Sequence, residues 1–220
     1  MEIEGHVLAN VKEVEGPFGE FTGYYGPQRM RNVIEVSAIT HRRDAIFQHI
    51  FTGHRDTWVL GGIPKEGSLF NLIRGVVPTV KAVHFPMSGG CRFNCYISID
   101  KKVDGETKQA ALAALGGCDF VKHVVVVDAD IDIYNEEEVM WAVATRVQAD
   151  QDVDVIRNVK GNTLDPSQTD NIMTAKMIID ATKPVQRPYE ARVAVPKTAM
   201  EKTRLEDFIP RAVVERVPKV

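Results

Sequence analysis

The sequence predicts a mixed α/β protein whose first third is strand-rich. Three observations carry that prediction. Residues 2–51 hold apolar, alternating runs and no helical periodicity of their own. Residues 79–156 run strand, strand, helix, strand, helix, strand, the order that builds an α/β layer with some parallel pairing. The last fifty residues change character and carry Pro184, Pro188, Pro196, Pro210 and Pro218.

The elements follow in order. Ile3–Val14 alternates as a strand. Asn32–Thr40 and Ala45–Phe51 read as two more, joined by a turn at His41–Asp44. Three such strands cannot close a core alone and need partners from elsewhere. Thr52–Pro64 is a Gly-rich passage. A short helix is expected over Ser68–Arg74, with Ser68 as N-cap and Gly75 as the stop. Thr79–Phe85 and Phe93–Lys101 are strands. Gly105–Leu115 is an Ala-rich helix ended by Gly116-Gly117. Val121–Asp128 is apolar enough to be buried on both faces. Asn135–Val147 is the clearest helix. Asn135 caps it, and Glu136, Glu137 and Glu138 sit where the dipole favours anions. Val139, Ala142, Val143 and Val147 form its apolar stripe. Val153–Ile156 is a further strand, and a helix is expected between Ala199 and Phe208.

Composition narrows the function classes. The chain has 220 residues, 44% hydrophobic and 26% charged, enough for a substantial core. A net charge of −3 without a basic stripe argues against nucleic acid as a partner. The longest apolar runs are too short to span a bilayer, and MEIEGHVLAN lacks a signal-peptide pattern. Cys91, Cys95 and Cys118 make an odd set, read as reduced thiols and a cytoplasmic setting. Cys91 and Cys95 are read as neighbours on one strand. They have no second ligand pair at zinc spacing, and none of the six histidines stands at metal spacing.

The most informative stretch is Glu15-Gly-Pro-Phe-Gly-Glu20-Phe-Thr-Gly-Tyr-Tyr-Gly-Pro27. Four glycines and two prolines in thirteen residues exclude a regular helix and fix unusual backbone angles. Two acids held rigidly beside aromatic rings are the raw material of proton transfer. A surface turn with two solvated glutamates has the same spacing. Asp128-Ala-Asp130-Ile-Asp132 is a second acidic group, at a strand end. It reads either as an Asp-x-Asp metal site of a sugar-nucleotide transferase or, more simply, as a solvated strand terminus leading into a helix cap.

The wording of the glutamate loop closely resembles that of the UbiD family of decarboxylases, which use prenylated FMN. The resemblance continues through Val121–Ile156, KGNTLDPS (160–167) and TAKMIIDATKP (174–184), in that order. It implies a carboxy-lyase acting on small aromatic or α,β-unsaturated carboxylic acids, in either direction, with a cofactor as electron sink. Glu20 would be the general acid and Glu15 its partner, which pairs with an arginine. Lys81 would contact the flavin phosphate. Thr57, Gly61, Phe85, Met87, Asn162 and Leu164 would line the substrate pocket, with Gly61 leaving it roomier.

Relatives carry a long preceding region that holds the catalytic arginine, most flavin contacts and the ligands of a divalent metal (Mn2+), with K+ nearby. None of that region is in this sequence, so no metal ligand is assigned here. The resemblance therefore implies a C-terminal portion that needs the missing half, in the same or a partner chain. Residues 1–51 would complete a flavin-binding split barrel, 52–170 would form the α/β domain and 171–220 an arm for homo-oligomerisation. A non-catalytic assembly or regulatory module of the same fold is the alternative. Its mark is the absent arginine, as intact Glu15 and Glu20 are the mark of the enzyme.

Overall fold

The computed structural model describes residues 1–168, 172–204 and 207–209. The chain divides into two compact units, Met1–Gln186 and Arg187–Val220.

The first unit opens on a ribbon of two long antiparallel strands, β1 (Glu2–Glu15) and β2 (Arg29–Thr40). Register shifts at Gly5 and between Val7 and Lys12 bend it. Ile3, Val7, Ile34, Val36 and Ile39 stay exposed along it. The expected third strand at Ala45–Phe51 does not form. The segment is irregular, with Ile46, Phe47 and Phe51 exposed. Its composition is strand-like, but no neighbouring strand edge takes up its backbone groups.

Helix α1 (Arg55–Val76) follows, far longer than the expected Ser68–Arg74. It runs through Gly61, Gly62 and Pro64, residues whose intrinsic preferences argue for a turn. Packing overrides them, because Gly62, Leu69 and Ile73 are buried in the core.

A five-stranded sheet comes next, in the order β3-β4-β5-β7-β6. Its strands are β3 (Val80–His84), β4 (Asn94–Ile99), β5 (His123–Asp128), β6 (Val153–Lys160) and β7 (Met173–Ala181). β4, β5 and β7 are parallel, while β3 and β6 are antiparallel edges. Helix α2 (Glu106–Gly117) links β4 to β5, and α3 (Glu136–Arg146) links β5 to β6. Asn135 caps α3 as expected, its Oδ1 accepting from Glu137 N at 3.1 Å.

Side chains alternate across this sheet. Cys95, Ile97, Ile99, Val124 and Val126 face α1 and α2. Tyr96, Val125 and Val127 face α3. Both faces are covered, which is why β5 reads as a continuous apolar run. Cys91 is not on a strand; it lies in the loop before β4 with φ 50°.

Strand β7 corrects the expected boundary at residue 171. Residues 173–181 form an inner strand of the sheet rather than the start of an arm. Lys176, at its centre, is buried and donates from Nζ to Leu115 O (3.0 Å) and Cys118 O (3.3 Å). A cation thereby meets the carbonyl end of α2, where the helix dipole favours it. Burial pulls its pKa below the ordinary lysine range.

In the second unit the described residues include α4 (Lys197–Lys202), shorter than the expected helix, part of which lies outside the described residues. Among the described residues no helix is long and apolar enough to cross a membrane.

Candidate active site

The glutamate loop between β1 and β2 is tied to itself and to the sheet. Within it, Glu20 N donates to Tyr24 O (2.9 Å), Gly23 N to Glu20 O (3.0 Å) and Gly26 N to Phe18 O (3.0 Å). The anchor to the rest of the unit is Phe21, which is buried. Its ring meets Phe93 at 5.3 Å and Phe120 at 5.6 Å. Its carbonyl accepts from Trp58 Nε1 at 2.6 Å. The Arg92 guanidinium lies over the Phe21 ring at 5.0 Å. Glu20, the preceding residue in sequence, is thereby positioned by a buried aromatic plug.

Glu20 faces a cavity of about 360 Å³, lined also by Tyr24, Tyr25, Arg29, Leu164 and Pro166 among others. A recess of about 30 Å³ joins Glu15, Glu20, Arg29, Arg31 and Leu164. Glu15 pairs with Arg31, Nε to Oε2, at 3.3 Å. Both side chains are about half exposed, so the pair orients Glu15 more than it stabilises the fold.

The Gly161–Ser167 loop forms the facing wall. Asn162 Oδ1 accepts from Leu164 N (3.0 Å), and Asp165 Oδ1 accepts from Ser167 N (3.0 Å). These two successive side-chain turns set the loop's shape. Asp165 is buried and meets Lys122 Nζ at 2.8 Å. Burial pushes its carboxyl pKa up. The hydrogen bonds from Lys122 and Ser167 outweigh this and hold it below the ordinary range.

A second cavity, of about 570 Å³, adjoins the loop through Phe21, Thr22 and Tyr24. Trp58, Met87 and Phe93 give it an apolar wall, while Asn94, Lys122 and His123 give it a polar one. His123 Nδ1 is 2.9 Å from Asn94 Oδ1, and burial beside Lys122 lowers the imidazole pKa.

The structure brings together Glu15, Glu20 and Leu164, with Met87 in the adjoining cavity. Other expected residues take different places. Asn162 acts through the turn that holds Leu164, and its Nδ2 donates to Asp119 Oδ2 at 3.3 Å. Thr57 Oγ1 donates to Phe51 O at 3.0 Å. Phe85 is closed inside the core at 1% exposure. The room over Gly61 is not pocket: a Cβ there would lie 1.8 Å from an Arg92 guanidinium nitrogen.

Lys81 is also displaced from the site. It stands at the start of antiparallel β3, where Val80 pairs with Ile99, and reaches Asp100 at 3.7 Å. The cavities lie at the other end of the sheet, beside Phe93, Asn94 and His123. At ~3.3 Å per residue, the length of β4 separates the two ends by about 15 Å.

The carboxyl ends of the parallel strands, where ligands of open α/β sheets usually bind, are closed instead. Arg146 donates to Asp128 (2.7 Å) and to both oxygens of Asp130 (3.1 and 3.0 Å). Lys183 Nζ adds a contact to Asp130 at 2.9 Å. Burial raises the Asp128 pKa. At the more exposed Asp130 burial is outweighed by the Arg146 and Lys183 hydrogen bonds, and the pKa falls. These carboxylates are internally neutralised. Among the described residues no group of three His, Cys, Asp or Glu is placed to hold a metal ion. The commitment of Asp128 and Asp130 to Arg146 and Lys183 argues against the Asp-x-Asp metal reading, and the group is a partly buried ion network rather than a solvated terminus.

Arg29, Arg31, Lys122, His123 and the Phe21–Trp58 anchor were not legible as site residues. Arg29 and Arg31 alternate on β2, a signal that appears only once the strand is seen to begin at Arg29 rather than at Asn32.

Comparison with known proteins identifies the family. Residues 58–181 match the 3-octaprenyl-4-hydroxybenzoate carboxy-lyase C-terminal domain, and residues 1–55 match the Rift-related domain of the same family. An anhydromevalonate phosphate decarboxylase of Methanothermobacter thermautotrophicus is 36% identical over 183 residues, 83% of this chain and 43% of its own. A phenolic acid decarboxylase of Sedimentibacter hydroxybenzoicus is 36% identical over 207 residues, 90% of this chain and 43% of its own.

Among solved structures, the UbiD-class enzyme HmfF from Pelotomaculum thermopropionicum in complex with FMN is 47% identical. It superposes with a TM-score of 0.86 over 94% of this chain and 46% of that one. An evolved dimeric form of the same enzyme, in complex with prFMN, gives 44% identity and a TM-score of 0.79 over 94% and 44%. The chain spans less than half the length of these relatives. With residues 1–55 and 58–181 both matched by models of one family, the chain belongs to the UbiD family of carboxy-lyases.

Proposed function

We propose that this chain is the part of a UbiD-type decarboxylase that carries the general acid, acting on aromatic or α,β-unsaturated carboxylic acids with prenylated FMN. The supporting observation is the placement of Glu20 in one cavity with Leu164, Tyr24, Tyr25 and Arg29.

The residues present fit one wall of a flavin site. They supply aromatic and apolar surface, the guanidinium groups of Arg29 and Arg31, and the carboxyl groups of Glu15, Glu20 and Asp165. The open β1–β2 ribbon supplies unpaired edges to which the rest of that site could add. Lys81, at the far end of the sheet, has no part in this wall. When bound, the cofactor supplies the electron sink that loss of CO2 from an sp2 carbon requires.

The chain's own residues would do the rest. The Glu20 carboxyl would deliver the proton that replaces CO2. Glu15, oriented by Arg31, would hold the far side of the recess. Leu164 and Pro166 would exclude water from the acid, and Met87, Trp58 and Phe93 would bound the ring of the substrate. The remaining flavin contacts and the catalytic arginine would come from the missing region, in the same polypeptide or as a partner subunit. Residues 187–220 would suit an oligomerisation arm.

Glu20→Gln tests the reading in an assembly that contains the missing region. It keeps the shape and removes the acid. Turnover should fall ~10²–10⁴-fold while the flavin stays bound, as read by its absorbance. Turnover within about tenfold of the parent would remove Glu20 from the role.

A further inference from the structure

The register of the ribbon sets Arg29 opposite Glu15, two residues before Arg31. The two arginines meet different fates. Arg31 is taken up by Glu15. Arg29 is half-buried, and its hydrogen bond goes from Nη2 to a backbone carbonyl, Thr163 O, at 3.4 Å. A guanidinium carries five N–H donors, and a carbonyl does not neutralise its charge.

Arg29 lines both the Glu20 cavity and the recess that joins it to Glu15. The other acid of the larger cavity, Asp165, is already engaged by Lys122 at 2.8 Å. The remaining walls include Tyr24, Tyr25, Pro27 and Leu164. A planar donor fork suits an oxyanion, and the ring and aliphatic surface beside it suits a carboxylate carried on an unsaturated or aromatic frame.

We propose that Arg29 binds a carboxylate of the substrate in the Glu20 cavity and so determines which acids the protein accepts. The assignment of that ligand as substrate rests on the decarboxylase reading. The bound carboxylate is either the one lost as CO2 or a second acid group on the same molecule. Arg29 would then be a specificity residue that this chain contributes in addition to any arginine of the missing region.

The test is binding to the full chain, which needs neither flavin nor turnover. Benzoate, isophthalate and uncharged benzamide are titrated while the ring resonances of Tyr24 and Tyr25 are followed by NMR. Arg29→Gln should weaken both acids, or isophthalate alone, by ~10-fold or more, leaving benzamide unchanged. Loss with both acids means that the shared carboxylate is held; loss with isophthalate alone means that the second one is. Arg29→Lys should recover only part of the affinity. Arg42→Gln makes the same charge change outside the cavity, at a residue paired with Asp44, and should bind like the parent.

Equal acid affinity in the parent and Arg29→Gln would overturn the proposal. So would a parent that binds neither benzoate nor isophthalate better than benzamide. Failure of the decarboxylase reading shows separately, as an assembled, flavin-loaded protein that binds acids through Arg29 but turns none over.

Discussion

Gly61 and Arg92 show how tightly the site is underpinned. A Cβ at residue 61 would lie 1.8 Å from Arg92 Nη2 and 2.5 Å from Cζ. The guanidinium would have to leave its place over Phe21 and Phe120. Arg92 is buried there and donates from Nη1 to Cys91 O at 3.3 Å, so moving it disturbs packing and a hydrogen bond together. Gly61→Ala should therefore destabilise the protein by about 1–3 kcal/mol and change the fluorescence of Trp58, which bonds to Phe21. A thermal midpoint and an emission spectrum like those of the parent would contradict the packing argument. At this scale the acids were readable, because Gly and Pro around Glu15 and Glu20 announce a fixed loop. The cations were not. Arg29 and Arg31 look like ordinary strand residues until pairing sets them against Glu15. Gly61 read as spare room because sequence does not reveal which distant side chain fills the space above a glycine.

Among the elements, β5 carries a pH dependence of its own. His123 begins the strand, and burial followed by the charge of Lys122 holds its pKa below the ordinary 6.5. In the folded state the ring stays neutral where the unfolded chain would already be protonated. The unfolded state then binds more protons, so stability rises with pH in that window. This contribution is complete above about 6.5 and declines as pH falls toward the folded pKa. Asp165 adds a separate loss at lower pH, below its ordinary 3.8, because its folded pKa is depressed. Urea midpoints measured from pH 8 down to 5 should fall on the acid side for the parent. They should fall less for His123→Asn, and parallel curves would refute the assignment.

Element identity was legible where a local signal agreed with packing. Asn135 and its three glutamates marked α3, and the unbroken valines marked β5. It failed where packing overrode the signal. α1 runs through four glycines and a proline, and at Gly61 and Gly62 its neighbours require small residues: a Cβ at Gly62 would meet Cys91 Cβ at 2.9 Å. Residues 45–51 have strand composition without a strand to pair with.

For the molecule as a whole, the ribbon is the exposed liability. A two-stranded sheet is marginal alone, and this one leaves Ile3, Val7, Ile34, Val36 and Ile39 in contact with water. Ile46, Phe47 and Phe51 extend that surface. The chain purified by itself should self-associate and fail to retain prenylated FMN. Light scattering behind size exclusion, with flavin absorbance, reads both. A monodisperse monomer holding the cofactor stoichiometrically would overturn this expectation. The exposed apolar surface of residues 1–51 accords with the sequence, which holds apolar runs there without a covering helix, although the third expected strand does not form.

Strand β7 has a consequence for how the protein is made. It lies between β5 and β6, yet it is the last strand of this sheet to leave the ribosome. Until residue 181 has emerged, β5 presents an open parallel edge and β6 has no neighbour. Lys176, which closes the end of α2, arrives equally late. The sheet can therefore close only after nearly all of the first unit has been synthesised. During that interval a nascent chain displays the valines of β5 along an unpaired edge, the kind of surface that chaperones bind and that stalled or truncated products aggregate through.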